Sequence, residues 1–149
     1  MAEYALGIDV GTSGVKVAVL DLSNFTLIAL AMRGYDNSPQ QSSSMLWDAT
    51  AATIREAAAM VDVRAIRGIS FSAQMHGTVL FDEHGQVIEP IINWQDKRCD
   101  IPLDRYGGCS TVEVMMERLA GPDFDDLGID IVSSGHLGAT LFYIKENDP

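Results

Sequence analysis

The sequence has little positive charge, few cysteines and no long apolar run. Only 10 of its 149 residues are Lys or Arg, against 21 Asp or Glu, so the net charge is −11. A chain this acidic repels nucleic-acid phosphates and anionic lipids, which argues against nucleic acid and membrane surfaces as partners. No stretch approaches the roughly 18 apolar residues of a membrane span. An anionic ligand would therefore need a local device, such as backbone N–H groups or a metal ion.

Cysteine and histidine are too sparse to build a scaffold or a metal centre. Cys99 and Cys109 lack CxxC spacing and form no disulfide framework, and His76, His84 and His136 have no metal-ligand spacing. The start of the chain lacks a basic segment followed by an apolar one, so no secretory signal is predicted. We therefore expect a cytoplasmic, reduced protein. The length suits one domain with a hydrophobic core.

The apolar pattern predicts an α/β domain. Short apolar runs bounded by turn residues predict strands, at 4–8, 15–20, 25–31, 65–71, 78–81, 86–89 and 91–93. Helical spacing predicts three helices, one capped by Ser44 and ending near residue 61, and the others at 111–119 and 137–146. A three-strand meander followed by a crossover helix and another strand gives a mixed sheet with flanking helices.

The pattern also predicts a loop, a buried strand and a break in the second hairpin. Residues 33–44 are polar and form a loop, the strand at 65–71 is apolar enough to be buried, and Pro90 breaks the second hairpin. No strand follows the last predicted helix. We therefore expect an incomplete sheet and a chain truncated at its C-terminal end.

The first candidate site is the turn between the first two strands. Asp9 ends the first strand, the turn occupies 11–14, and Lys16 follows. Neither the Gly-Lys-Ser/Thr ending of a P-loop nor a G-x-G-x-x-G fingerprint is present. Glycines let backbone approach a ligand, and consecutive turn N–H groups can bind an anion. The Asp9 carboxylate can hold Mg²⁺ or its water shell; a plain hairpin in which Asp9 makes a local turn bond is the alternative.

The second candidate site follows two later predicted strands, where polar side chains cluster at strand ends. A polyol needs many paired donors and acceptors, and four side chains supply them: Gln74, His76, Gln95 and Asp96. Sugar C–H faces pack on an aromatic ring such as that of Trp94. Each residue could also have a purely structural role. His76 can be a histidine whose hydrogen bonds are made within the protein, Trp94 can be a core residue, and Asp96 can form a surface ion pair with Lys97 or Arg98.

Together these segments resemble known families. The strand, Asp9 and the turn at 11–14 resemble the first phosphate motif of the actin-like ATPase superfamily. The QMHG of 74–77 and the W-x-D-x-R-C of 94–99 resemble the FGGY carbohydrate kinase family, and its xylulokinases and sedoheptulokinases more than its glycerol kinases. The resemblance implies an actin-like (ribonuclease H-like) fold. It implies contacts to ATP phosphates and Mg²⁺ from Asp9, Gly11, Thr12, Ser13 and Lys16, and ketose contacts from Gln74, Met75, His76, Gly77, Trp94 and Asp96.

The same resemblance implies an ATP-dependent kinase, with ATP and Mg²⁺ as cofactors, that phosphorylates a terminal hydroxyl of D-xylulose or sedoheptulose. Residues 94–96 and 135–142 are closer to sedoheptulokinases. In this family the general-base Asp lies in the second half of the chain, so residues 1–149 are expected to be the N-terminal sugar-binding domain of a two-domain kinase, inactive alone. An unpaired sheet edge would favour a homodimer.

Two other classes stay open at this point. One is a non-catalytic sugar-binding or regulatory module of the actin-like superfamily. The other is a structural or chaperone member of that superfamily, which the QMHG and W-x-D segments disfavour.

Overall fold

The computed structural model describes residues 2–120 and 132–147, and these form two compact units that divide between Gln74 and Met75. The described strands are β1 Tyr4–Val10, β2 Gly14–Asp21, β3 Leu27–Gly34, β4 Gln40–Gln41, β5 Ile66–Ala73, β6 Thr78–Phe81 and β7 Val87–Ile92. The described α-helices are α1 Ser43–Ala58, α2 Thr111–Leu119 and α3 Leu137–Asn147. None of the helices within these ranges is long and apolar enough to cross a bilayer.

The first unit is built on a mixed sheet in the order β3-β2-β1-β5. β1 and β2 pair antiparallel, as do β2 and β3, whereas β1 and β5 are parallel. A helix, α1, connects β3 to β5 in the chain, because parallel neighbours need a crossover. The predicted meander, crossover helix and mixed sheet are therefore confirmed.

The core of this unit lies between the sheet and α1. Alternate residues of β1 and β2 point to one face, and five of them are at most 2% exposed: Leu6, Ile8, Val15, Val17 and Val19. Ala49 and Ala57 of α1 pack against this cluster. The β-branched valines suit a pleated, buried surface, while the small alanines let the helix approach closely.

The start of α1 differs from the prediction. Ser42, not Ser44, is the N-cap, and its hydroxyl accepts the Met45 amide at 3.4 Å. Ser44 already lies in the first helical turn, where its hydroxyl bonds that of Ser42 at 2.8 Å. In a run of three serines the cap falls on the one whose backbone is still extended.

The strand predicted as buried at 65–71 is present but exposed. β5 is an edge strand, and its Ile69 and Phe71 are 58% and 67% exposed. The parallel register places them beside Leu6 and Ile8, on the core face of the sheet. However, α1 packs over β2 and β3, so it leaves this end of the face uncovered.

The second unit contains the predicted hairpin. β6 and β7 pair antiparallel, and the turn between them is held by Asp82, whose carboxylate accepts the amides of His84 and Gln86 at 2.9 and 2.8 Å. The prediction that Pro90 breaks the hairpin is wrong, because β7 continues through a cis Glu89–Pro90 bond. The register shifts between Thr78 and Leu80, and this irregularity accommodates a residue without an N–H.

The helices of the second unit match their predicted positions. α2 spans the predicted residues and begins with a reciprocal capping box between Ser110 and Glu113. α3 extends one residue beyond its prediction, to Asn147. The Gly121-Pro122 stop predicted after α2 lies outside the described residues.

Candidate functional site

The carbonyl oxygens of the turn between β1 and β2 accept hydrogen bonds from two residues on one side of the turn, Tyr35 and Gln41. Tyr35 donates from its hydroxyl to the Gly11 carbonyl at 2.5 Å and from its amide to the Ser13 carbonyl at 3.1 Å. Gln41 Nε2 donates to the Thr12 carbonyl at 2.9 Å. In a trans peptide the C=O and the following N–H point in opposite directions. The N–H groups that follow these carbonyls therefore point away from Tyr35 and Gln41.

Glycine at position 14 is required by the neighbouring strand. A Cβ there would lie 2.7 Å from the Arg33 carbonyl oxygen. Gly14 therefore lets β2 start in close contact with β3, which is a packing reason that the sequence pattern did not contain.

A shallow groove of about 260 Å³ opens beside the turn. It is lined by Asp9, Gly11, Ser13, Gly14, Val15, Lys16, Met32, Arg33 and Gly34. Asp9 and Lys16 are paired across the strands, with the Lys16 Nζ 4.0 Å from the Asp9 carboxylate. Arg33 supplies a second cation, which sequence reasoning missed because β3 brings it from another part of the chain.

The electrostatics of this groove are mixed. The Asp9 and Lys16 side chains are 49% and 62% exposed, so water screens their attraction. Tyr35 lies close behind, where burial first and the Asp9 carboxylate second raise the pKa of its hydroxyl. The Tyr35 phenol thus stays protonated and keeps donating to the turn.

These groups fit a phosphate with Mg²⁺. Turn amides and cations suit phosphate oxygens, while one carboxylate suits a magnesium ion that also takes substrate phosphates and water. Within residues 2–120 and 132–147 no cluster of three or more His, Cys, Asp or Glu could hold a metal by itself. The metal contribution of this unit would therefore come from Asp9 together with the ligand.

Gln74 directly follows β5, at the end of the first unit. Its amide N–H donates to the Val10 carbonyl at 2.9 Å, which extends the parallel ladder. Its side-chain Nε2 donates to Gln41 Oε1 at 2.9 Å. Its own Oε1 is buried and has no hydrogen-bond partner in the described part of the chain. A buried acceptor without a donor is costly unless a water molecule or a ligand donates to it.

His76 belongs to the second unit and has an unusual backbone. Its φ is +60°, in the left-handed region that non-glycine residues rarely adopt. Its ring lies against that of His136, with centroids 4.2 Å apart and a tilt of 32°. The flanking Met75 and Gly77 are exposed. Such local strain is often found at functional positions.

Trp94 and Asp96 lie on a turn that begins at the buried Asn93. The Asn93 side chain accepts the Gln95 amide at 2.9 Å, and the Asn93 carbonyl accepts the Asp96 amide at 3.1 Å. This turn leaves Trp94 46% exposed, so its ring can meet a ligand. The Gln95 Oε1 is buried without a partner among the described residues.

Asp96 is held by Arg98 in a buried ion pair. The guanidinium donates to both carboxylate oxygens, at 2.9 and 3.0 Å, and the Arg98 amide donates to one of them at 2.9 Å. The Asp96 side chain is 7% exposed, whereas Lys97 points elsewhere and pairs with Asp100 at 3.9 Å. The hydrogen bonds that Arg98 donates to the Asp96 carboxylate raise the pKa of Arg98, so the pair stays charged.

A third segment, the 134–136 turn, contacts all three of these residues. Ser134 Oγ donates to the Asp96 carbonyl at 3.0 Å. Gly135 has a φ of +83°, and a Cβ on it would lie 2.6 Å from the Trp94 carbonyl carbon. His136 stacks on His76. Sequence reasoning used this turn only as a family cue, and its one local signal was a glycine before a helix.

Comparison with known proteins identifies the family. Residues 4–147 match the FGGY family of carbohydrate kinases, N-terminal domain. A xylulose kinase of Staphylococcus epidermidis is 34% identical over 116 residues, covering 70% of this chain and 23% of the relative. A xylulose kinase of Bacillus subtilis is 28% identical over 156 residues, covering 99% of this chain and 29% of the relative.

Solved structures agree with the sequence comparison. A crystal structure of a xyloylose kinase from Brucella ovis superposes with a TM-score of 0.79 at 28% identity, covering 98% of this chain and 30% of that one. The actin-like fold and the family resemblance predicted from the motifs are thus confirmed. The chain spans less than a third of the length of these relatives, and it belongs to the FGGY family of carbohydrate kinases through their N-terminal domain.

Proposed function

We propose that this chain is the N-terminal, sugar-binding part of an ATP-dependent kinase that phosphorylates a terminal hydroxyl of a ketose. The observation that carries the proposal is the convergence, within the second unit, of His76, Trp94 and Asp96 on the 134–136 turn. The names of the relatives favour D-xylulose. Sedoheptulose is the alternative ketose, favoured by residues 94–96 and 135–142.

Each predicted sugar residue has a role that suits its environment. In the first unit, the unpartnered Gln74 Oε1 can accept a hydrogen bond from a sugar hydroxyl. In the second unit, the exposed His76 ring can donate or accept one. Trp94 packs against a C–H face. Asp96, whose carboxylate is bound by Arg98, is assigned to the ketose as part of the turn that carries Trp94. Met75 and Gly77 flank His76 in the same exposed segment.

The groove beside the β1–β2 turn is assigned to phosphate. Asp9, the amides of residues 12–14 and Lys16 would hold the phosphates of ATP and its Mg²⁺, with Gly11 lining the groove. When bound, Mg²⁺·ATP supplies the phosphoryl group and neutralises charge during its transfer. The chain itself carries a net charge of −11, so the local cations Lys16 and Arg33 and the turn amides have to offset a repulsive field.

We further propose that the 149-residue chain is inactive alone, acts in the cytoplasm when part of a longer kinase, and leaves the general-base Asp to the remaining sequence. Kinase assays with D-xylulose would compare this chain with one extended to the length of its relatives. Phosphorylation by the short chain would contradict the assignment of the base. Ketose binding without phosphorylation by the extended chain would favour a regulatory sugar-binding module.

The exposed edge strand supports a proposal about assembly. β5 ends the sheet with Ile69 and Phe71 exposed, and such an edge can pair with a second copy of the chain. We expect a dimer in light scattering at high concentration and a monomer for Phe71→Glu. A monomeric wild-type chain would contradict this.

Isothermal titration with a panel of ketoses tests the sugar assignment. D-xylulose, sedoheptulose and glycerol are titrated into the wild-type chain, into His76→Ala and into His84→Ala. His76→Ala should weaken ketose binding by about tenfold or more, the cost of a lost polar contact. His84 lies on the β6–β7 turn and is a matched control, whose change should leave affinity intact. Equal affinity of the two variants would remove His76 from the site.

A further inference from the structure

Gln41 is a buried side chain that links the β1–β2 turn to Gln74, and no motif pointed to it. It is 1% exposed. Its Nε2 donates to the carbonyls of Thr12 and Asp36, both at 2.9 Å, and its Oε1 accepts from Gln74 Nε2 at 2.9 Å. All of these residues lie in the first unit.

The chemistry of position 41 calls for a glutamine side chain. Two backbone carbonyls require N–H donors, and the Gln74 Nε2 requires an acceptor. Glutamate has the reach but no donor at neutral pH, and methionine has the shape but neither group. Only an uncharged amide of this length serves all three partners at once.

Three amide groups, those of Gln74, Gln41 and the Thr12–Ser13 peptide, are hydrogen-bonded in series, and each side chain donates to the next group. Gln74 donates to Gln41, Gln41 donates to Thr12, and the Thr12 carbonyl shares its peptide group with the Ser13 N–H. One end of the series is the buried, unpartnered acceptor Gln74 Oε1. The other end is Ser13, which lines the groove beside the turn.

Hydrogen-bonded amides polarise one another when their dipoles align. Each added donor strengthens the next bond by an estimated ~10–30% in condensed phase. A hydroxyl that donates to Gln74 Oε1 would make Gln74 Nε2 a stronger donor to Gln41, and Gln41 a stronger donor to Thr12. The same polarisation of the Thr12 peptide makes the Ser13 N–H a stronger donor to an anion.

We propose that Gln41 is a positioning residue that couples a polyol site at Gln74 to an anion site at the β1–β2 turn. A polyol at Gln74 then tightens anion binding at the turn. The inference rests on the proposed function, because it takes a ketose as the ligand of Gln74 and phosphate as the ligand of the turn. Coupling of this kind is reciprocal: the anion tightens ketose binding by the same factor.

The test measures two affinities and their linkage in the 149-residue chain. Inorganic tripolyphosphate with Mg²⁺ is titrated with and without saturating D-xylulose, and the Ser13 amide is followed by nuclear magnetic resonance. In the wild type we expect D-xylulose to tighten tripolyphosphate binding by about fivefold, the lower end of typical couplings. We also expect D-xylulose alone to shift the Ser13 amide proton downfield.

Two variants separate coupling from simple loss of binding. Gln41→Met interrupts the series at its middle and should bring the coupling factor to one, with the wild-type shift at Ser13 lost. Gln40→Met places the same change at the exposed neighbouring residue and should keep both. If Gln41→Met does not fold, the wild-type Ser13 shift and coupling factor decide the matter by themselves.

The outcomes are distinguishable. A wild-type chain that binds no ketose overturns the proposed function and this inference with it. A wild-type chain that binds both ligands independently, or a folded Gln41→Met chain that keeps the coupling, overturns this inference alone.

Discussion

The β1–β2 turn and the 93–96 turn hold their functional groups in opposite ways. In the first, the turn carbonyls accept hydrogen bonds from Tyr35 and Gln41, so the backbone N–H groups that follow them point away from these two side chains. In the second, a buried ion pair with Arg98 fixes a side chain, Asp96. The first site therefore depends on what supports the backbone, and the second on which side chains are present.

The largest effect is expected from the ion pair of the second site. Arg98→Met removes the guanidinium that pairs with the buried Asp96 carboxylate and should cost about 3 kcal/mol of unfolding free energy. Adding Asp96→Asn should recover part of that loss, because the buried side chain no longer carries a charge that the guanidinium had balanced. Guanidinium unfolding measures both. A loss below about 0.5 kcal/mol would instead be the behaviour of a solvent-screened surface pair.

A smaller loss is expected where the second site depends on backbone. Gly135→Ala combines a left-handed φ with a clash against the Trp94 peptide and should cost about 2 kcal/mol. Gly138→Ala is the matched control, since a Cβ at this helical position meets nothing. It should stabilise the chain by up to about 1 kcal/mol. Equal effects in thermal unfolding would refute the close packing of Gly135.

The support behind the first site should contribute less. Tyr35→Phe removes the hydrogen bond to Gly11 and should cost about 1 kcal/mol. Because its folded pKa is raised, the Tyr35 contribution is present below the unfolded tyrosine pKa of about 10 and is lost as pH rises past it. Stability measured across alkaline pH should therefore fall more steeply in the wild type than in Tyr35→Phe.

The smallest effect is expected from the side chains of the first turn. If its amides hold the anion, Thr12→Ala and Ser13→Ala should each change tripolyphosphate affinity by less than about threefold, under 1 kcal/mol. Titration calorimetry measures the tripolyphosphate affinity of each variant. In the companion variant Asp9→Asn, the dependence of that affinity on Mg²⁺ should be lost. A tenfold loss in Ser13→Ala would make the hydroxyl, rather than the backbone, the principal ligand.

Much of the fold followed from local pattern. Alternating valines in β2 and the spaced apolar residues of α2 predicted their elements because period and caps are local properties. The wrong predictions concerned features that depend on contacts with other elements. β5 is exposed because α1 does not reach it, and β7 passes Pro90 because its pairing with β6 is irregular there. The cap at Ser42 depended on one backbone conformation among three serines.

The candidate site divides in the same manner. Asp9, His76 and Trp94 stand in motifs that family resemblance could recognise. Gln41 and Arg33 stand in no motif, and Gly135 meets Trp94 across about forty residues of sequence. No local pattern reports such contacts, because they exist only when separate segments pack together.

By itself, the amino-acid sequence determined most of the strands and helices, the family and the types of groups available for binding; it missed the short β4 at Gln40–Gln41 and placed the end of α1 about three residues too late. Only the tertiary structure decided that the Asp96–Arg98 pair is buried rather than at the surface, that Gly135 packs on Trp94 and that Gln41 lies between Thr12 and Gln74. The physical reason is burial. A polar group removed from water must find a partner, and the available partners are set by the fold rather than by neighbours in sequence.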